Sequence, residues 1–278
     1  MTRLLLPSPL RVTSTVRHLS TTPRFPPVET ARQEQHGLHQ PVLFKQRCNL
    51  PAVAKWFTPP THSGARELNT AYLGHYSSTT VPLELTRFDA AGKRAAFERF
   101  EAPLSLLLAH MSSSDPSLTL YLAQCSLADL PSELYADVRL PSLVNGLGKG
   151  DIYGSSLWMG RPPTRTPLHR DPNPNLFVQL AGQKTIRLMA PEHGRRLYQR
   201  SRVGQGHANL RGGEMMVGQE MERLENAVWG EESEENKSVC GVEATLQSGD
   251  ALLIPLGWWH AVRGVGEGAN ASVNWWFR

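Results

Sequence analysis

Residues 157–189 read LWMGRPPTRTPLHRDPNPNLFVQLAGQKTIRLM, and this stretch decides the fold class. Its short apolar runs are separated by Pro, Gly, Asn and Asp, and similar runs follow near the C-terminus without long helical periods between them. This pattern of short apolar runs and turn residues is typical of an antiparallel sandwich or barrel and argues against a parallel βαβ sheet. The strands predicted here are 157–160, 166–171, 176–180, 184–189, 242–246, 251–255, 260–263 and 272–277.

The N-terminal half is expected to mix short strands with helices. The predicted strands are 41–45, 68–72, 81–86 and 118–122, and the predicted helices are 52–57 and 93–111, the latter interrupted at Pro103. Residues 191–241 interrupt the later strands as an insertion, rich first in Arg and then in Glu, with a helix expected from Gly218 to Trp229. The insertion is either a solvated surface segment or a lid or partner-docking segment beside the barrel.

Length and charge restrict the class of protein. The 278 residues, 40% of them hydrophobic, suffice for one folded domain with a tail. The longest apolar run, 251–259, contains Pro255 and Gly257 and is far shorter than a membrane span, so no membrane insertion is expected. The formal charge is +4, and the four arginines of residues 1–26 account for all of it. The remaining residues have a net charge of zero, which argues against nucleic-acid binding by the folded domain.

The first 26 residues also contain many Ser and Thr and no acid. This composition is typical of a mitochondrial transit peptide, with cleavage near Pro26 and delivery to the mitochondrial matrix. An untargeted tail is the alternative. A polar linker, 27–40, and one domain, 41–278, are expected to follow. Cys48, Cys125 and Cys240 are far apart, which fits a reducing compartment and predicts neither a disulfide framework nor a cysteine zinc site.

Three residues form a candidate metal site. His169 and Asp171 lie two positions apart on a predicted strand, so both side chains point to one face. His260 ends the segment GDALLIPLGWWH, residues 249–260. Each residue taken alone is more often structural. Together they supply two imidazoles and one carboxylate, the facial set that binds non-haem Fe(II) and leaves positions open.

Lys184 is the second candidate. It follows a predicted hairpin turn and shares a strand face with Ile186 and Leu188. A lysine beside two large aliphatic residues is costly to bury unless an anion meets it. Its ammonium group either reaches water from the strand end or pairs with the carboxylate of a small acid bound inside the barrel.

The chain resembles the JmjC (cupin-like) family of Fe(II)- and 2-oxoglutarate-dependent oxygenases, and within it the branch similar to the asparaginyl hydroxylase of hypoxia-inducible factor. The segments that carry the resemblance are WMG (158–160), TPLHRDP (166–172), NLFVQ (175–179), GQK (182–184), GDALLIPLGWWH (249–260) and SVNWW (272–276). The resemblance extends more weakly back to Pro41. It implies a mainly β fold, a double-stranded β-helix or jelly-roll barrel with flanking N-terminal helices.

The resemblance also implies roles for single residues. His169, Asp171 and His260 would bind Fe(II). The residues implied to hold 2-oxoglutarate are Tyr121, Thr166, Asn175, Lys184 and Asn274. Lys184 would pair with the distal carboxylate and receive help from the hydroxyls of Tyr121 and Thr166, while the two asparagines would lie near the metal end. Many members carry an aromatic residue where this chain has Arg170, which is expected to point away from the metal.

The function implied by the resemblance is hydroxylation of a protein side chain, with a protein as substrate. Two alternatives stay open at this stage. One is hydroxylation of a modified nucleoside in tRNA, suggested by the arginine-rich residues 195–211, although RNA is the less favoured partner. The other is a cupin-fold binding protein without catalytic turnover. The sequence does not indicate an oligomeric state.

Overall fold

The computed structural model describes residues 24–31, 39–90, 94–113, 115, 117–202, 219–231 and 238–278. The strands of this part are β1 Val42–Phe44, β2 Thr80–Phe88, β3 Arg94–Pro103, β4 Leu118–Ser126, β5 Ile152–Gly160, β6 Thr164–Arg170, β7 Asn175–Ala181, β8 Gln183–Met189, β9 Val242–Leu246, β10 Ala251–Ile254, β11 Trp259–Val265 and β12 Asn270–Phe277. The α-helices are α1 Pro51–Lys55, α2 Thr70–Leu73, α3 Leu104–Met111, α4 Ser132–Asp137, α5 Pro191–Ser201 and α6 Gln219–Trp229.

The strands form two antiparallel sheets. The large sheet has the order β1-β10-β7-β12-β5-β4-β2-β3, and the small sheet has the order β6-β11-β8-β9. One apolar cluster contains Phe177 of the large sheet together with Ile186 and Val262 of the small sheet, so the two sheets pack face to face. The predicted mainly β jelly-roll fold is confirmed.

Strand alternation distributes the side chains among three apolar layers. On β10, Leu252 and Ile254 lie between the sheets. Ala251 and Leu253 point the other way, into a layer shared with buried residues of the four N-terminal helices α1–α4. These helices cover the outer face of the large sheet, as expected for the flanking helices. On β11 the same alternation directs His260 into the barrel.

The insertion covers the outer face of the small sheet. Tyr198 of α5 stacks on Trp259 of β11 with ring centroids 5.1 Å apart. A methyl group at Gly194 would overlap the Trp259 ring, so this glycine allows α5 to lie directly on the strand. The helix predicted from Gly218 is observed as α6, and its Leu224 joins the same apolar layer. The described residues of the insertion do not line the cavity between the sheets.

Two predictions for the N-terminal half are wrong. Residues 68–72 do not form a strand: Asn69 caps the helix α2 by accepting a hydrogen bond from the backbone N–H of Tyr72. Residues 94–103 do not form a helix but the strand β3, and only α3 is helical. The spacing of Phe97 and Phe100 fits a helix, but β2 offers an open edge, and pairing Phe100 with Leu83 there outweighs the local preference.

The ordered domain begins before Pro41. Arg24 donates hydrogen bonds to the carbonyl oxygens of Ala227 and Val239 at 2.7 and 3.0 Å, and Val28 is buried against the barrel. Residues 1–23 lie outside the described residues, so the transit peptide and its boundary remain predictions. Among the described residues, every helix is too short or too polar to cross a lipid bilayer.

Candidate metal centre

His169 and His260 lie side by side because β6 and β11 are neighbours and these two residues are paired in the strand register. Their ring centroids are 4.2 Å apart. Asp171 follows the end of β6, and its carboxylate oxygens lie 4.0 Å from His169 Nε2 and 3.6 Å from His260 Nε2. The three candidate ligand atoms lie within 4.8 Å of one another. The structure therefore brings the predicted triad together in a cluster that fits one metal ion.

Backbone carbonyls orient both imidazoles. His169 Nδ1 lies 2.8 Å from the carbonyl oxygen of Pro167, and His260 Nδ1 lies 3.5 Å from that of Trp258. A carbonyl oxygen accepts, so a ring nitrogen that bonds to it carries the proton and leaves the lone pair on Nε2. In both rings, Nε2 is the nitrogen that faces Asp171.

The charge states of the cluster suit a divalent cation. Burial and, to a lesser extent, the neighbouring His169 lower the pKa of His260 to about 4, so His260 is neutral at pH 7. Burial alone would raise the pKa of Asp171, but its electrostatic interactions with the two histidines and the hydrogen bond from Asn175 hold this pKa below its ordinary value. A neutral imidazole and an ionised carboxylate are the forms that bind metal, without competition from protons near neutral pH.

Two asparagines of the large sheet hold the carboxylate of Asp171. Asn175 on β7 donates a 2.8 Å hydrogen bond from Nδ2 to Asp171 Oδ2. Asn274 on β12 in turn donates from Nδ2 to Asn175 Oδ1, also at 2.8 Å. This chain of amides fixes the orientation of the acid. Asn274 Oδ1 is buried without a hydrogen-bond partner among the described residues, and Asn274 lines the cavity, so this acceptor is available to a ligand.

Lys184 lies inside the barrel, with 2% of its surface exposed. Its ammonium group therefore does not reach water. Nζ donates to Ser272 Oγ at 2.6 Å and to the Tyr121 hydroxyl at 3.3 Å, and no carboxylate of the described residues pairs with it. Desolvation lowers the pKa of Lys184 to about 7. A buried ammonium group that has hydroxyl groups and aromatic rings as neighbours, but no carboxylate among the described residues, is a strong anchor for an incoming anion.

One cavity of about 440 Å³ joins the lysine to the metal cluster. Its walls include seven of the eight residues predicted for the site: Thr166, His169, Asp171, Asn175, Lys184, His260 and Asn274. The eighth, Tyr121, contributes its contact with Lys184. The volume is in the range of small-molecule sites. An acid chelating a metal at the triad while extending a second carboxylate to Lys184 fits this arrangement of groups.

The sequence reasoning missed several residues of the site. Ser272, which contacts Lys184, lies two positions before Asn274 on one strand, so the period-2 rule could have assigned it to the same face. Arg99, Gln124 and Tyr153 also line the cavity but belong to no recognised motif. Gln124 has a φ of 54° at an irregularity in the pairing of β4 with β5. Such a bulge redirects a side chain in a way that strand alternation does not predict.

The chain belongs to the cupin-like domain family, whose model matches residues 28–278. Among curated proteins it is 31% identical to the lysine-specific demethylase JMJ30 of Arabidopsis thaliana, over 59% of this chain and 35% of that protein. It is 34% identical to lysine-specific demethylase 8 of Danio rerio, over 56% of this chain and 36% of that protein. A Jumonji C domain-containing protein 5 of Drosophila melanogaster is 32% identical over 56% of this chain and 36% of its own length.

The predicted membership of the JmjC (cupin-like) family is thereby confirmed. The chain spans only 35–36% of the length of these relatives. The closer likeness to the asparaginyl hydroxylase of hypoxia-inducible factor stays a prediction.

Proposed function

We propose that this protein is an Fe(II)- and 2-oxoglutarate-dependent oxygenase that hydroxylates a protein side chain. The observation that carries the proposal is the cavity into which both the triad of His169, Asp171 and His260 and the buried Lys184 open. A triad alone would fit many metals, and a buried lysine alone would fit many anions. Their combination fits a metal that is chelated by a diacid.

The residues have separate tasks. His169, Asp171 and His260 would bind Fe(II), and Lys184, with its partners Ser272 and Tyr121, would hold the distal carboxylate of 2-oxoglutarate. When bound, Fe(II), 2-oxoglutarate and O₂ supply an oxidant that converts a substrate C–H group to C–OH, with succinate and CO₂ as co-products. The protein orients these groups and excludes water from the cavity.

The relatives support the choice of a protein substrate, since two of them are named lysine-specific demethylases. The RNA alternative has less support. Arg195, Arg196 and Arg200 of the insertion lie on α5, which covers the outer face of the small sheet, and none of the three lines the cavity. The acid-free N-terminal residues support delivery of the enzyme to the mitochondrial matrix.

The test of the proposal uses the full chain, purified without oxygen, loaded with Fe(II) and exposed to air with 2-oxoglutarate and a protein extract. We expect Fe(II)-dependent release of succinate that the extract increases, whereas the same chain loaded with Zn(II) should release none. If the Fe(II)-loaded chain neither binds 2-oxoglutarate nor releases succinate, the protein is a cupin-fold binding protein and the proposal fails.

Binding of 2-oxoglutarate should depend on pH through Lys184. In the ligand-free protein, burial lowers the pKa of Lys184 to about 7. The incoming carboxylate binds only the protonated form of this lysine. Affinity is therefore expected to be nearly constant below pH 7 and to fall by up to about tenfold per pH unit above it. Calorimetric titration of the Mn(II)-loaded chain from pH 6 to pH 9 measures this. An affinity that stays constant or rises across this range would contradict the role of Lys184.

A further inference from the structure

A second cavity, of about 360 Å³, lies where the small sheet ends at β6 and the large sheet continues as β4 and β2. Its volume is in the range of small-molecule sites. Glu84 and Thr86 of β2 line it, whereas Leu83 and Leu85 alternate with them and pack into the helical layer on the opposite face. This cavity, which we call the edge pocket, therefore lies on the same face of the large sheet as the metal centre.

The helix α6 of the insertion forms another wall of the edge pocket. Glu222, Glu225 and Asn226 line the pocket, and their spacing of three and four positions places them on one helix face. Leu224 and Val228 of the same helix pack instead against the outer face of the small sheet. The insertion thus brings carboxylate groups to the edge pocket.

Two buried side chains of the edge pocket have hydrogen-bonding capacity that no described residue uses. Thr86 is 7% exposed, and its hydroxyl group forms no hydrogen bond in the described part of the chain. Glu225 is also 7% exposed. Arg263 and Arg165 approach Oε2 of this glutamate at 2.7 and 3.9 Å, and its Oε1 bonds to no described residue. Because unpaired buried polar groups are costly, a ligand that donates hydrogen bonds to them would be stabilised.

The charges of the edge pocket disfavour an anion. Its described lining has three carboxylate groups, those of Glu84, Glu222 and Glu225, and one guanidinium group, that of Arg165. Glu84 forms an ion pair with Arg99 at 2.7 Å, and arginines also approach Glu225. Glu222 is exposed and forms no ion pair with a described residue. Glu222 therefore gives the pocket an uncompensated negative charge.

One layer of side chains separates the edge pocket from the cavity of the metal centre. Arg99 lines the cavity, and its ion-pair partner Glu84 lines the edge pocket. Lys184 also lines the cavity, and Tyr121, whose hydroxyl group it contacts, lines the edge pocket. A peptide that reaches the metal centre with one side chain can therefore place a nearby side chain in the edge pocket, across the exposed Arg99.

We propose that the edge pocket binds a lysine or arginine side chain of the peptide substrate, near the residue that is oxidised. The cationic group would donate hydrogen bonds to Glu225 Oε1, to the Thr86 hydroxyl and to Glu222. The aromatic side chains of Phe88 and Tyr121, which also line the pocket, would pack against the apolar stem. An apolar side chain would leave Thr86 and Glu225 unpaired, and an acidic one would be repelled by Glu222. This inference rests on the proposed function and specifies its substrate.

The experiment measures binding without turnover. The full chain is immobilised, loaded with Mn(II) and 2-oxoglutarate, and exposed to a synthetic random peptide library, and the retained peptides are sequenced. We expect enrichment of Lys and Arg at one position of the retained peptides and weaker retention at high salt. The formal charge of the chain, +4, would by itself favour acidic peptides, so this enrichment would report a local site.

Two variants test the residues of the edge pocket. E222K reverses the uncompensated charge on the exposed surface of α6, and the affinity for the enriched basic peptides should fall on the order of tenfold or more. T86V keeps the shape of a buried side chain and removes its hydroxyl group, so the same affinity should fall about fivefold. The control E98K makes the same charge change on β3, where the exposed Glu98 lines neither cavity, and should select the same peptides as the wild type.

Thermal unfolding and Mn(II) content of each variant show that the fold and the metal site persist. Retained peptides without enrichment of Lys and Arg would overturn the proposal, as would an affinity for basic peptides that is unchanged in E222K or in T86V. Binding of putrescine that E222K abolishes, without enrichment of basic peptides, would assign the edge pocket to free amines and also overturn the proposal.

Succinate release by the same preparation separates the two proposals. Release of succinate without selection of basic peptides leaves the oxygenase function standing and rejects the basic side chain in the edge pocket. Selection of basic peptides through Glu222 without succinate release retains the peptide site and rejects the oxygenase function.

Discussion

Replacing His169 with Ala will lower the affinity for Fe(II) by at least about 100-fold and abolish succinate formation from 2-oxoglutarate. The substitution removes one of three ligands and leaves an imidazole and a carboxylate, which hold a divalent cation weakly. His169 is partly exposed, with 23% of its side-chain surface accessible, so its loss should not unfold the barrel. Titration with Mn(II) measures the affinity, and thermal unfolding verifies the fold.

His62→Ala is the matched control, because His62 is exposed in the loop that follows α1 and does not line the cavity. This variant should bind metal and form succinate like the wild type. Metal binding and turnover that survive in the His169 variant would show that the triad is not the catalytic metal centre.

Replacing Lys184 with Met is expected to move ligand affinity and stability in opposite directions. The free protein should become more stable, because a buried ammonium group with a pKa lowered to about 7 by desolvation is replaced by an apolar side chain of similar length. We expect the replacement to raise the Tm by several degrees. Affinity for 2-oxoglutarate should fall by about 100-fold, since its distal carboxylate loses a charged hydrogen bond.

Calorimetry with the Mn(II)-loaded variant gives the affinity, and thermal unfolding of the metal-free variant gives the Tm. Lys149→Met serves as the control, since Lys149 is exposed and lies outside the cavity, and neither quantity should change. If 2-oxoglutarate binds the Lys184 variant as tightly as the wild type, another residue anchors the acid. A lower Tm would show that the hydroxyl partners stabilise the ammonium group more than burial penalises it.

The strands of the barrel could be predicted from the sequence because each has one face toward the inter-sheet core and another toward a helical layer. The period of two is therefore visible in residues 184–189, and it correctly directed Lys184, Ile186 and Leu188 to one face. The triad was visible for the same reason, since two of its members share a single strand face and the third ends a distinctive aromatic segment.

The N-terminal strand β3 could not be predicted in this way. It is an edge strand that pairs with β2 alone, and its Phe97 and Phe100 occur at helical spacing. Pairing with the preceding strand β2 decides between the two structures, and the spacing of apolar residues within 94–103 does not show that pairing. The position of Gln124 at the cavity could not be predicted for a related reason, because a local irregularity in strand pairing sets the direction of its side chain.

The polar contacts of the centre run from one sheet to the other. Lys184 belongs to the small sheet and Ser272 to the large one, and Asp171 and Asn175 are divided in the same way. A diacid held by Lys184 and the metal would contact residues of both sheets and so link one sheet to the other. A small separation of the two sheets would then break the contacts of the diacid before any strand unpaired. Under the proposed function, bound 2-oxoglutarate would therefore stabilise the folded chain as well as support turnover.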